Sequence, residues 1–287
     1  MQLLVAGSPS VDTEPFLDGD LAPVDLDNAT EAIDPESVVS WIGATYDLSV
    51  TGTATTGVYR VTAADGFPAV DRLTFTVTGE VDSVPVSQQV TVDIVGARIV
   101  TPTVAATEGR QSGATAADVA RVLDRFLDLY QTARGTSPVP RIAKETFTAA
   151  TLPCAYRMVL RWPLVLDVVS VTVDGVAVST VLSGNVLTRT DGGLFTPLSP
   201  SGTVEVVYTY GWDSPSPSAR AAAVAFVRAE IQNLVGSSVG RTYESVSEQG
   251  YVYRAGSPSV NDDRWSGYID VDANLALDPD YRVPSIA

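Results

Sequence analysis

Enzyme chemistry draws on a short set of side chains, and this chain of 287 residues lacks the most versatile of them. It contains no histidine and one cysteine, Cys154. A histidine-dependent triad or a histidine-bearing zinc site is therefore impossible. With no imidazole to take its proton, Cys154 reads as a small apolar residue and not as a nucleophile. The nearest approach to a metal motif is Asp270-Val271-Asp272-Ala273-Asn274, which imitates the first three ligands of a calcium loop. Leu275 then stands where the loop glycine belongs, and Tyr281 where a bidentate Glu should close the shell. The run reads as a solvated acidic stretch, and Asp18-Gly19-Asp20 as a turn. Two carboxylates meeting in space, such as Asp213 and Glu230, could hydrolyse a glycoside. With 34 acidic residues in the chain such meetings arise by chance, and the plainer reading is a solubilising surface. Gly192-Gly193 has no helix behind it to cradle a phosphate, and no P-loop or dinucleotide fingerprint occurs. The expectation is a protein that is not an enzyme and holds no cofactor or metal.

Composition points the same way. The formal net charge of −16 repels phosphate backbones, so sequence-independent nucleic-acid binding is not expected of the isolated chain. A lone cysteine excludes an intrachain disulfide and a disulfide-stapled secreted scaffold. Met1 to Gly7 lacks the basic and apolar regions of a signal peptide, and no stretch reaches the length of a membrane span. Synthesis in a cytoplasm and no membrane contact are expected. Hydrophobic residues at 45% are ample for a packed core.

The elements that would position any site follow from periodicity. Alternating runs at Tyr46 to Val50, Val58 to Val61, Leu73 to Val77 and Val86 to Val95 predict strands. Thr51-Gly52, Thr56-Gly57, Ala64-Asp65-Gly66 and Thr78-Gly79-Glu80 are the predicted turns between them. Residues 1–97 thus read as a small β-sandwich, with the acidic, Pro-containing stretch Val11 to Ser40 as a long loop or edge elaboration. Residues 98–114 lose periodicity and read as a linker. Thr115 and Asp118 then open a helix with apolar residues at Val119, Val122, Leu123, Phe126 and Tyr130, ended by Gly135. From residue 141 to 211 the pattern returns to strands. Asp174-Gly175 gives a strong hairpin signal and Thr203 to Tyr210 a last strand. Ser216-Pro217 starts a slim, Ala-rich helix with an apolar stripe at Val224, Val227, Ile231, Leu234 and Val235, closed by Gly236. Residues 237–287 show no sustained periodicity yet carry many aromatic residues. They predict an extended arm that orders against a partner, with Tyr251, Tyr253, Trp265 and Tyr268 as its anchors.

The order of these elements carries a resemblance. A helix is followed by Leu160-Arg161-Trp162-Pro163-Leu164-Val165, then by Val168-Val169-Ser170-Val171-Thr172-Val173-Asp174-Gly175. Next come Val206-Val207-Tyr208-Thr209-Tyr210-Gly211-Trp212 and the Ala-rich helix from Pro217 to Leu234. This resembles the head-to-tail adaptor (connector) proteins of tailed bacteriophages, particularly those of actinobacteria, over roughly residues 115–236. Residues 1–97 resemble the immunoglobulin-like module that such proteins carry in front of the adaptor core. Leu164 departs from the valine usual after the proline, and the arm matches no strict motif.

The resemblance implies an α+β chain: an N-terminal immunoglobulin-like β-sandwich (1–97), a linker (98–114), a helix–β-hairpins–helix adaptor core (115–236) and an extended C-terminal arm (237–287). It implies a ring of twelve copies in the virion neck, with the helices forming the ring body. The arm would grip the portal protein, and a stopper or tail-tube or tail-terminator protein would sit below. DNA would pass through the lumen without specific binding, and the β-domain would project toward capsid or solvent. The alternatives from other classes are a β-sandwich surface or adhesion protein and a two-carboxylate hydrolase.

Overall fold

The computed structural model describes residues 2–17, 22–27, 31–109, 114–148, 156–197, 201–234, 246–248, 251–253 and 268–278. The chain is a mixed α+β protein with several antiparallel sheets and helices. Two compact units divide it. One comprises residues 1–97, 140–160 and 165–210; the other comprises 98–139, 161–164 and 211–287. Both are discontinuous in sequence, so the N-terminal strands share a unit with most strands of the segment expected to form a separate core.

In the first unit, β1 (Gln2–Val5), β2 (Ser10–Asp12), β3 (Ala32–Ser40), β4 (Leu48–Gly52), β5 (Tyr59–Ala63), β6 (Asp71–Val81) and β7 (Val84–Val95) form two sheets. Their orders are β1-β7-β6-β3 and β2-β5-β4, with β1 joining β7 in parallel and the other pairs antiparallel. On β6 strict alternation buries Asp71, Leu73, Phe75, Val77 and Gly79, every second residue. Leu73, Phe75 and Val77 join Val61 and Tyr59 of β5 and Val92 and Ile94 of β7 in one apolar cluster.

Of the two readings of Val11 to Ser40, the edge elaboration holds: the stretch contains strand residues at its start and the edge strand β3, which alternation did not reveal. Pro35 and a register shift between Asp34 and Val39 break its pattern, as edge strands tolerate. One correction to the predicted turns also falls here. Thr78-Gly79-Glu80 is not a turn but part of β6, where Leu26 lies against the Gly79 backbone and a Cβ would meet its side chain. The β6–β7 hairpin turns instead at Asp82-Ser83, both at positive φ and neither a glycine.

Seven further strands complete this unit: β8 (Arg141–Thr148), β9 (Arg157–Val159), β10 (Val165–Val173), β11 (Val176–Ala177), β12 (Thr180–Ser183), β13 (Val186–Arg189) and β14 (Thr203–Tyr210). They make a sheet of order β11-β10-β14-β8 and a smaller one of order β12-β13-β9. Asp174-Gly175 forms the expected two-residue hairpin, with φ of 51° and 78° and Val173 paired to Val176. Strand β8 is fastened to the N-terminal strands by a buried ionic bridge. Asp93 of β7 accepts from Arg72 of β6 and, at 2.9 Å, from Arg141 of β8. The Gly96 amide donates to the Pro140 carbonyl at 3.0 Å beside it.

The second unit holds the helices and one short hairpin. Within the expected linker, Pro102–Glu108 forms a helix, α1; Thr101 caps it and Pro102 occupies its first turn. Seven residues are too few to display helical periodicity, which is why the segment read as a linker. Helix α2 (Ala116–Arg134) has the predicted ends, with the Thr115 hydroxyl accepting from the Asp118 amide and a left-handed Gly135 at its close. Helix α3 (Pro217–Leu234) starts where Ser216 accepts from the Ala219 amide at 3.0 Å. It buries mainly small residues, Ala219, Ala222 and Ala223, beside Phe226, Val227 and Ile231. Strands β15 (Val246–Glu248) and β16 (Tyr251–Tyr253) pair as a hairpin.

Helix α4 (Ile269–Leu275) packs on α3 and α2. Part of the segment expected to be an extended arm is therefore helical and docked on its own chain. Its spacing of Val271 and Leu275, both fully buried, is one apolar pair only, too short a pattern to register as a helix. No helix among the described residues is long and apolar enough to cross a membrane.

Candidate interaction surfaces

Of the carboxylates weighed for chemistry, that of Glu230 is engaged with the protein itself. Glu230 accepts from Arg125 at 2.8 Å through Oε2 and from the Tyr268 hydroxyl at 2.8 Å through Oε1. Asp213, its suggested partner, is exposed. The calcium-like run lies in α4, where Val271 and Asp272 are buried and Asn274 donates to the Asp270 carbonyl at 2.7 Å. A helix spreads side chains around its axis, so the run cannot wrap an ion as a loop does. It is also less solvated than expected, since only Asp270 and Ala273 are exposed within it. Among the described residues no group of three or more His, Cys, Asp or Glu is placed to hold a metal. Cys154 lies outside the described residues.

Of the four arm residues, Tyr251 and Tyr253 fall in β16, with Tyr251 paired to Glu248 and Tyr253 to Val246 through the backbone. Trp265 lies outside the described residues. Tyr268 precedes α4, and its ring sits edge-on to Phe226 at 6.0 Å while its hydroxyl donates to Glu230. Tyr268 is thus held within the helical unit.

A polar knot that sequence reasoning missed holds the end of this segment. Asp278 is buried and accepts from the Tyr130 hydroxyl at 3.1 Å and from Ser216 at 2.6 Å, and also from Ser218. Its carbonyl accepts from the buried Arg134. The carboxylate therefore sits at the first turn of α3, where amides and the helix dipole favour a negative charge. Burial, and then the Asp278 charge, push the Tyr130 hydroxyl well above the usual tyrosine range, so it stays a donor. Residues 130 and 134, residues 216 and 218, and residue 278 belong to three segments far apart in the chain, and no local pattern announces their meeting.

The largest accumulation of exposed apolar side chains lies elsewhere. Seven of the eleven exposed large apolar residues among the described ones fall between Tyr156 and Leu194, in β9 to β13 and their connections. Val159, Val176 and Val181 are each more than half exposed. None of the eleven lies on α2 or α3, whose apolar faces are turned inward. Beside them a groove of about 470 Å³ is lined by Asp167 to Val171 of β10, Ala177 and Val178, and Thr180 and Leu182 of β12. Exposed apolar concentrations of this kind are candidate contact sites. Alternation did predict strands here, but it could not say which of their two faces would remain uncovered. Comparison with protein-family models, curated proteins and solved structures gave no match.

Proposed function

We propose that the chain is a structural subunit of a tailed-phage neck, a head-to-tail adaptor that assembles as a ring between portal and tail and leaves a passage for DNA. The observation that carries this reading is the run of elements from α2 to α3 together with the residues at its joints. Asp174-Gly175 turns the β10–β11 hairpin, and Gly211 ends β14 at a φ of 112°. There a Cβ would overlap the Val139 carbonyl and come within 3.0 Å of the Ser137 carbonyl. These are the positions on which the resemblance to adaptor proteins rests, and each has a backbone reason to be what it is. The two N-terminal sheets with their shared apolar cluster fit an immunoglobulin-like sandwich in front of that core. The carboxylates of Glu230 and Asp278 are spent on internal contacts, which fits a role without catalysis.

In this reading the ring is a closed head-to-tail assembly of identical copies, and many modest contacts add up to a joint that withstands packaged DNA. A portal protein lies above and a stopper, tail-tube or tail-terminator protein below, with capsid as a further contact of the N-terminal sheets. Tyr251 and Tyr253 are the arm residues assigned to the portal. Tyr268 takes part only if its contacts with Phe226 and Glu230 open. Because α4 and Asp278 belong to the packed helical unit, deleting the whole segment would confuse folding with binding. The decisive test is electron microscopy of the full chain mixed with a candidate portal ring, with Tyr251→Ser/Tyr253→Ser alongside. Caps of adaptor on the portal, lost in the double variant, are expected. Monomers that never decorate the portal would overturn the reading.

A further inference from the structure

The three-stranded sheet β12-β13-β9 has two edges, and each carries an exposed valine, Val181 on β12 and Val159 on β9. Both edge strands pair antiparallel with β13, so they run in the same direction. Neither contains a proline, a lysine or a register shift; both are short, three and four residues, and the charge on β9 is Arg157, so pairing there depends on what charge it meets. The charges at the two edges are of opposite sign. Arg157 lies exposed on β9, and Asp167 lies exposed in the groove beside β12. Neither forms an ion pair among the described residues; the Asp167 carboxylate accepts from the Val168 amide at 2.8 Å. A surface with an apolar edge and a cation at one side, and an apolar edge and an anion at the other, is complementary to a second copy of itself placed head to tail. In a chain of net charge −16, general repulsion between copies makes such a local match of sign necessary for close approach.

We infer that a second copy of this chain docks here, the β9 edge of one copy lying along the β12 edge of the next, with Arg157 of one copy set against Asp167 of the other. This contact is head-to-tail, because two different edges meet. It therefore leaves a free edge at each end and closes only when the copies complete a ring. It rests on the ring reading for that closure, and it changes what the resemblance implied. The strands carry this contact between copies; no large exposed apolar residue is described on α2 or α3.

The test is sedimentation velocity of the full chain over about 1 to 100 μM, the range in which a modest interface populates both free and bound forms. Four proteins are compared: wild type, Arg157→Asp, Asp167→Arg and the double variant Arg157→Asp/Asp167→Arg. Both sites are exposed, so circular dichroism should show all four equally folded. Wild type should form species larger than the monomer as concentration rises. Each single reversal should require roughly tenfold more protein to do so, since it sets like charges together. The double variant should recover, and so should an equal mixture of the two single variants, because each then offers an edge of the sign the other needs. A wild type that stays monomeric throughout, single variants that associate like wild type, or a double variant without recovery would each overturn the inference. Failure here with caps still seen on a portal ring would sink the edge contact alone; absence of caps would sink the ring reading.

Discussion

The bridge Arg72–Asp93–Arg141 gives the sharpest stability prediction. Asp93 and Arg141 are both buried, with side chains 6% and 7% exposed, while Arg72 is 28% exposed and stacks at 4.5 Å over Trp41. Arg72 grips the carboxylate with two nitrogens and Arg141 adds a third contact at 2.9 Å. Asp93→Asn keeps the shape but leaves two guanidinium groups facing each other, one of them out of water. Removing one partner of a buried ion pair costs about 3–5 kcal/mol, because the survivor stays charged and uncompensated. Arg141→Met is a different perturbation. It removes one cation and leaves Asp93 in its two-pronged contact with Arg72, so its cost should be about 1–2 kcal/mol, that of one charged hydrogen bond partly replaced by apolar packing.

The two variants should therefore differ by about 2 kcal/mol or more, with Asp93→Asn the worse. Urea unfolding followed by tryptophan fluorescence and circular dichroism measures this. With a slope of about 2–3 kcal/mol/M, Asp93→Asn should lower the midpoint by roughly 1–2 M. Acid supplies an independent check. Burial raises the Asp93 pKa, but Arg72 and Arg141 outweigh burial and hold it below the usual carboxylate value. A lowered folded pKa means that the contribution is complete above the unfolded value, near 4, and fades as pH falls through the folded one. Wild type should lose stability in that acid window, and Asp93→Asn should lose less of it. If Arg141→Met proves as costly as Asp93→Asn, the reasoning from an uncompensated buried charge is wrong.

Other outcomes follow from the helical unit and the sequence. Gly211→Ala should cost about 2 kcal/mol or more in thermal melts, since a Cβ at positive φ would strike the Val139 carbonyl. Asp278→Ala should cost about 2–4 kcal/mol, because it strands the hydroxyls of Tyr130, Ser216 and Ser218; hydrogen exchange should show α4 among the first segments to open. Thr115→Ala should cost only about 1 kcal/mol, the worth of one helix cap. With no histidine in the chain, contacts between copies should be insensitive to pH between about 6 and 8 in sedimentation experiments.

The sequence by itself determined what rests on neighbours in the chain. The strand β6 alternates because successive side chains must point to opposite faces. Helix α2 begins at Thr115 and ends at Gly135 because unpaired amides and carbonyls need those caps, and Asp174-Gly175 turns because both must take positive φ. The absence of histidine likewise needed no structure. What only the tertiary structure decided are the matters set by residues distant in sequence. Strand β3 was hidden because an edge strand need not alternate, and α1 and α4 because seven residues carry too little periodicity. The burial of Asp93 between Arg72 and Arg141, the Asp278 knot at the start of α3, and the docking of Tyr268 on Phe226 all join segments that nothing local connects. The same holds for the exposed apolar side chains of β9 to β12. Alternation says that a strand has two faces, but only packing decides which one is left uncovered.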